Sequence, residues 1–214
     1  MIKIWGRASS VNVQKVLWAA DEVGLTYERV DVGGAFGGLD TPEFERLNPA
    51  RLIPALQDGD FVLAESNAIV RYLAEKYGAG RLAPPSLEER ASAQQWCEWG
   101  QYSLYRDIIS NCFHQLIRVT ADQRNHALLK ASAARAGDHL ATLDRHLAGR
   151  SYIMGSEFTF ADIVVGCMTH RYFTMEIARP TLPNVEAWYQ RLSTRPPFRK
   201  HVMVDWTAMK IPGA

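Results

Sequence analysis

The 214-residue sequence contains only three cysteines, Cys97, Cys112 and Cys167. They are widely spaced and odd in number, so they form no CxxC redox pair, no disulfide framework and no zinc pattern. A reducing, cytoplasmic setting follows as the expectation. The six histidines are scattered without ligand spacing, and no metal site is expected. No apolar run approaches the ~20 residues that cross a bilayer. The first residues, Met1-Ile2-Lys3-Ile4-Trp5-Gly6, lack the apolar core and cleavage site of a signal peptide. An excess of one charge is also missing: Lys+Arg 24 against Asp+Glu 23 gives +1. That balance argues against nucleic acid or an anionic membrane as the partner. At 47% hydrophobic and 22% charged residues, the composition is that of a globular protein. The length allows one large domain or two small ones.

What is present divides in two. Residues 1–78 hold 8 Lys+Arg and 11 Asp+Glu; residues 79–214 hold 16 and 12. The break coincides with Gly78-Ala79-Gly80 and Pro84-Pro85, the usual punctuation between domains. Before it, strand-like and helical patterns alternate. Strands are expected over Met1–Trp5 and Tyr27–Val32, helices over Asn12–Val23 and Ser66–Tyr77, and a short helix ending at Phe44–Pro49. A hairpin is expected around Asp58-Gly59-Asp60. After the break, four long helical patterns run over Leu87–His114, Ala121–Ala148, Thr159–Phe173 and Asn184–Ser193, with Pro196-Pro197 as a boundary. The expected fold is a small α/β domain followed by an all-α one: residues 1–79, a linker over 80–86, and residues 87–214.

Four local features carry chemistry. Ser9-Ser10-Val11-Asn12 stands where the first strand hands over to the first helix. A helix N-cap explains it structurally. The functional alternative is that these hydroxyl and amide groups, at the positive helix end, stabilise a bound anion such as a thiolate. Ile53-Pro54 leads into a strand; with a cis bond, Ile53 would present its N–H and C=O to a peptide-like ligand. Glu65-Ser66 lies between a strand and a helix. Ser66 reads as an N-cap, but a helix N-terminus with a hydroxyl also suits a carboxylate, and Glu65 suits an ammonium. The pair could therefore read a zwitterion. Thr159-Phe160-Ala161-Asp162 is a capping-box variant and reads as a folding signature.

In this order and on these elements, the features resemble the glutathione S-transferase superfamily across essentially the whole chain. The stretches Trp5–Lys15 and Glu65–Leu73 look like bacterial, theta/nu-like members. The resemblance implies a thioredoxin-like N-terminal domain, a helical-bundle C-terminal domain and glutathione as co-substrate. It also implies a homodimer and a small, apolar electrophile as second substrate, with no nucleic acid, membrane or metal partner. By similarity, Glu65 and Ser66 hold the γ-glutamyl end and Ile53 pairs with the cysteinyl part. Arg51 meets the glycine carboxylate, and Phe36 lines the glycyl side. Ser10 stands where a thioredoxin-like domain usually carries cysteine, and no cysteine precedes position 97. The reactive thiol must then come from the ligand. Ser10 is the first candidate to stabilise its thiolate, Asn12 the second and Ser9 the third. Family geometry places part of the stripe Trp96, Trp99, Tyr102 and Arg106 over the thiol. Tyr102 and Arg106 are its pocket candidates; His170, Arg171, Tyr172 and Trp206 lie opposite as weaker ones. The activity implied is thiolate attack on a small electrophile. The alternatives are a glutathione-dependent disulfide reductase or peroxidase, and a non-catalytic binding protein of the same fold.

Overall fold

The computed structural model describes residues 1–214. The first third alternates β1 (Ile2–Trp5), α1 (Val11–Glu22), β2 (Tyr27–Val30), α2 (Pro42–Leu47), β3 (Ala55–Asp58), β4 (Phe61–Ala64) and α3 (Ser66–Tyr77). The four strands form one sheet in the order β2-β1-β3-β4. β1 and β2 are parallel, so the chain crosses between them through α1. β3 runs antiparallel to both β1 and β4. Asp58 pairs with Phe61 across Gly59, whose φ of 63° a side chain would resist.

The second part is all helix: α4 (Leu87–Trp99), a π-helical stretch (Gly100–Phe113), α5 (His114–Ile117), α6 (His126–Leu147), α7 (Phe160–Thr174), α8 (Pro183–Ser193) and α9 (Pro196–His201). One helix start differs from expectation, and one expected boundary also opens a helix. α6 begins at His126 rather than Ala121, because the Asn125 side chain caps it by accepting the Leu128 N–H at 2.9 Å. Pro196-Pro197 follows the end of α8 at Ser193, as expected, and also opens a short helix of its own. Proline lacks the N–H that a first turn leaves unpaired, and its φ suits that position.

One buried carboxylate ties the helical part together. Asp162, in the first turn of α7, accepts the Thr159 N–H at 2.9 Å and the Thr159 hydroxyl at 3.3 Å. It also accepts the Ile153 N–H at 2.9 Å and the Trp188 indole N–H at 2.8 Å. Burial pushes its pKa up to about 6, while these four donors favour the charged form. The loop before α7, its cap and helix α8 are thereby fixed to one group.

α7 in turn meets α1. From Val11 to Ala20 every α1 residue except Asn12 is buried. α1 packs on α3, α7 and α9. Gly166 permits the approach: a Cβ there would stand 2.7 Å from Leu192 Cδ1 and 3.3 Å from the Trp18 ring. Trp18 packs edge-on against Phe198, ring centres 4.7 Å apart. At the far end of α1, Arg195 forks onto Glu22 with two 2.7 Å bonds.

Two predictions follow from this packing. Asp162→Ala strands three buried N–H donors, each costing about 1–3 kcal/mol, so urea unfolding should register a loss of roughly 3 kcal/mol or more. His170 is buried with Nδ1 2.8 Å from the Tyr189 hydroxyl. Burial pushes its pKa down to about 4 from 6.5. The unfolded chain binds that proton and the folded one resists it, so this contribution is present above pH 6.5 and is lost as pH falls toward 4. Up to about 3 kcal/mol of pH-dependent stability comes from this group, and His170→Gln should flatten that part of the unfolding profile.

Candidate functional site

Two helix N-termini differ from the rest. α2, α4 and α6 have their first N–H groups capped by the side chains of Thr41, Ser86 and Asn125. Asp144 accepts from the N–H groups of Asn184 and Val185 at the start of α8. α9 starts with two prolines, and α7 carries the Thr159–Asp162 box. Only α1 and α3 begin at a strand-to-helix turn with no side-chain cap of any kind. Their free N–H groups, with the helix dipole, form two positive sites unoccupied by the protein itself.

Ser10 occupies the cap position of α1, and its hydroxyl does not bond the helix. The capping role open to it in the sequence is therefore unused. Ser9, Ser10 and Val11 line a cavity of about 250 Å³ between the sheet part and the helical part. Tyr105 and Ile109 from the π-helical stretch line it from across. Asn12, in the first turn of α1, keeps a buried side-chain oxygen without a partner. Burial raises the Tyr105 hydroxyl pKa, and a hydrogen bond from the Asn12 side chain acts against that rise.

At α3 the sequence reading shifts by one residue. Glu65, not Ser66, holds the cap position, at φ 68° and ψ 116°. That backbone conformation is sparsely populated for a residue with a side chain. Ser66 is the first helical residue and is buried. Glu65, Ser66 and Asn67 line a second cleft of about 340 Å³ with Arg71, Gln101 and Tyr102. The two helix ends are linked through Lys15, fully buried on α1. Its Nζ donates to Asn67 Oδ1 and Gln101 Oε1, each at 3.3 Å. Desolvation lowers its pKa to about 8.

The Ile53-Pro54 bond is cis, and Ile53 makes no backbone–backbone hydrogen bond. Phe36 lies on a one-turn 3₁₀ helix and is 59% exposed. Arg51 pairs with Glu45 at 3.0 Å on the surface, away from both clefts. Tyr102 is 76% exposed and belongs to the Glu65 cleft rather than to the cavity beside Ser10. Arg106 turns toward Asp107 at 3.5 Å. Neither lines that cavity; Tyr105, Ile109 and Phe113, spaced by four on another face of the same stretch, do. Arg7 and Arg118 also line it, and neither was signalled by local spacing. The three cysteines are buried, and burial pushes Cys97 and Cys167 to about 12 and Cys112 to about 11. None supplies a thiolate near neutral pH.

A thioredoxin-like sheet domain, a helical domain and an anion-ready helix end between them define a class of thiol-ligand enzymes. Known proteins agree. Residues 1–75 match the glutathione S-transferase N-terminal domain and residues 126–191 its C-terminal domain. Glutathione S-transferase GstB of Escherichia coli K12 is 38% identical over 209 residues, 95% of this chain and 99% of that one. Glutathione S-transferase 3 of Zea mays is 33% identical, covering 94% of this chain and 93% of its own. The crystal structure of the theta class glutathione S-transferase from Xanthomonas axonopodis pv. citri, with glutathione bound, superposes with a TM-score of 0.89. It is 43% identical and covers 96% of this chain and 99% of that one. The chain belongs to the glutathione S-transferase superfamily and is an enzyme of that class.

Proposed function

We propose that this protein binds glutathione across the N-termini of α1 and α3 and activates its thiol with Ser10. The observation that carries this reading is that the two helices that follow strands at the seam, α1 and α3, open without a side-chain cap, with Ser10 at one and Glu65-Ser66 at the other. The γ-glutamyl end carries an ammonium and a carboxylate. Glu65 receives the ammonium, while Ser66 and the free α3 N–H groups receive the carboxylate. The backbone of Ile53, unpaired within the protein, meets the cysteinyl unit. Phe36 flanks the glycyl side. Arg51 reaches the glycine carboxylate by leaving its exposed pairing with Glu45.

A free cysteine thiol has a pKa of ~8.5 and is mostly protonated at neutral pH. The Ser10 hydroxyl donates to the sulfur, and the α1 dipole favours its negative charge. Together they lower the thiol by about 1–2 units and enrich the nucleophile ten- to a hundredfold. Asn12 orients the region from the same first turn of α1. The thiolate then attacks an electrophilic carbon held in the cavity beside Ser10, so that proximity supplies much of the rate. The protein works as a homodimer in a reducing cytoplasm. Exposed Leu52, Phe61 and Leu87 supply apolar surface for pairing, and the three free cysteines suit that compartment.

Glutathione should raise the melting temperature of the wild type, and Glu65→Ala or Ser66→Ala should abolish most of that rise. Ser10→Ala should lower kcat with an aryl halide by about ten- to a hundredfold while glutathione affinity changes less. Absence of a glutathione-dependent shift in the wild type would contradict the reading. Turnover of a disulfide with negligible aryl-halide conjugation would reassign the chemistry to reduction.

A further inference from the structure

The cavity beside Ser10 is unusually basic for a near-neutral chain. Arg7, Arg118, Arg171 and His114 line it, and no Asp or Glu does. Arg171 is the deepest of them. It projects from α7, is 1% exposed and pairs with no carboxylate. Its Nη2 donates to the Ser9 carbonyl at 3.0 Å and to Gln14 Oε1 at 3.4 Å. Nε and Nη1 have no partner, so three of its five N–H donors are unused. The Phe113 ring lies 4.7 Å from the guanidinium carbon and offsets only part of the desolvation.

Such a group is costly to keep. A buried cation without a counterion loses its hydration and gains no ion pair. Desolvation lowers the Arg171 pKa only to about 10, so it stays charged at neutral pH. Two more arginines add to the field. Arg7 is lowered first by desolvation and next by repulsion from Arg118, so the pair stands close enough to interact. Gly34 leaves room for the Arg7 side chain: a Cβ there would come within 3.2 Å of Arg7 Cδ and Nε. Positive charge thus converges on one small, partly apolar space, where low-dielectric walls strengthen its pull on an anion.

We propose that the second substrate is a small electrophile bearing a carboxylate, with Arg171 receiving the carboxylate and Arg7 and Arg118 attracting it. This inference rests on the transferase reading above and replaces the purely apolar electrophile that the resemblance implied. Tyr105, Ile109 and Phe113 contact the uncharged body of the ligand, and its reacting carbon faces the thiolate near Ser10. A cavity of about 250 Å³ restricts the ligand to a compact molecule. With an aryl chloride the step balances simply. The thiol proton passes to water, the sulfur lone pair forms the C–S bond, and the C–Cl bond breaks. Chloride leaves with the bonding electrons.

The test uses a chlorodinitrobenzoate and its primary amide, matched in shape and reacting carbon. Each enzymatic kcat/KM is divided by the uncatalysed rate with glutathione. The carboxylate should be favoured about tenfold or more, a preference that shrinks with added salt. Arg171→Met should bring the ratio toward one while the glutathione-dependent melting shift persists. Because Arg171 is buried, exposed Arg118→Met serves as a second variant and should lower the ratio severalfold, acting through KM. Equal use of both compounds by the wild type would overturn the inference and leave the transferase reading standing. Loss of the glutathione melting shift in Arg171→Met and Arg118→Met would also overturn it, by assigning these arginines to glutathione. Turnover of neither compound overturns it as well. If glutathione then fails to stabilise the wild type, the transferase reading falls with it.

Discussion

The packing of helix α1 against α3, α7 and α9 governs the rest of the molecule. A helix that faces solvent can shift by an ångström at little cost. α1 cannot, because α3, α7 and α9 pack on it and nearly every residue from Val11 to Ala20 is buried. Its N-terminus is consequently held still at the seam between the sheet and the helices. Ser10 owes its position to the apolar contacts of Val13, Leu17 and Trp18 deeper in the same helix. The Asp162 network extends that order, since it fixes the start of the helix that carries Gly166 and Arg171. Stability and chemistry share one scaffold, and the polar groups are set by apolar packing at a distance.

The seam also contains polar groups that a stability argument alone would exclude. Lys15 is wholly buried with two neutral amide partners and no carboxylate. Arg171 is nearly as buried and only partly bonded. Replacing buried charges with apolar groups is often neutral or stabilising in proteins generally. Their place here is consistent with a site prepared for charge brought by ligands. Glutathione carries two carboxylates, an ammonium and a thiol. The free helix ends and unpaired donors around α1 match that chemistry without any metal ligand set among the side chains.

Much of this was legible in the sequence. Strand and helix order followed from hydrophobic periodicity, and the capping signal at Thr159 and Asp162 placed α7 to within one residue at each end. Ser10, Ile53, Glu65 and Ser66 stood out as candidates because each sits at a turn with a definite backbone demand. The lining of the cavity beside Ser10 was harder to read. Helical spacing of the aromatic stripe picked Tyr102 and Arg106, but another face of the same stretch, with Tyr105, Ile109 and Phe113, lines the cavity. Arg7 and Arg118 are 111 positions apart in the chain and meet only through tertiary folding. Arg171 gave no more signal than the residues beside it on an apolar helix, because its unpaired state is a property of the packed interior.

The central claim is that Ser10 and the uncapped end of α1 stabilise the thiolate of bound glutathione. Titration of enzyme-bound glutathione by thiolate ultraviolet absorbance tests it most directly. The account predicts a thiol pKa about 1–2 units below the free value of ~8.5 in the wild type, returning toward that value in Ser10→Ala. Identical titration curves for wild type and Ser10→Ala would contradict it.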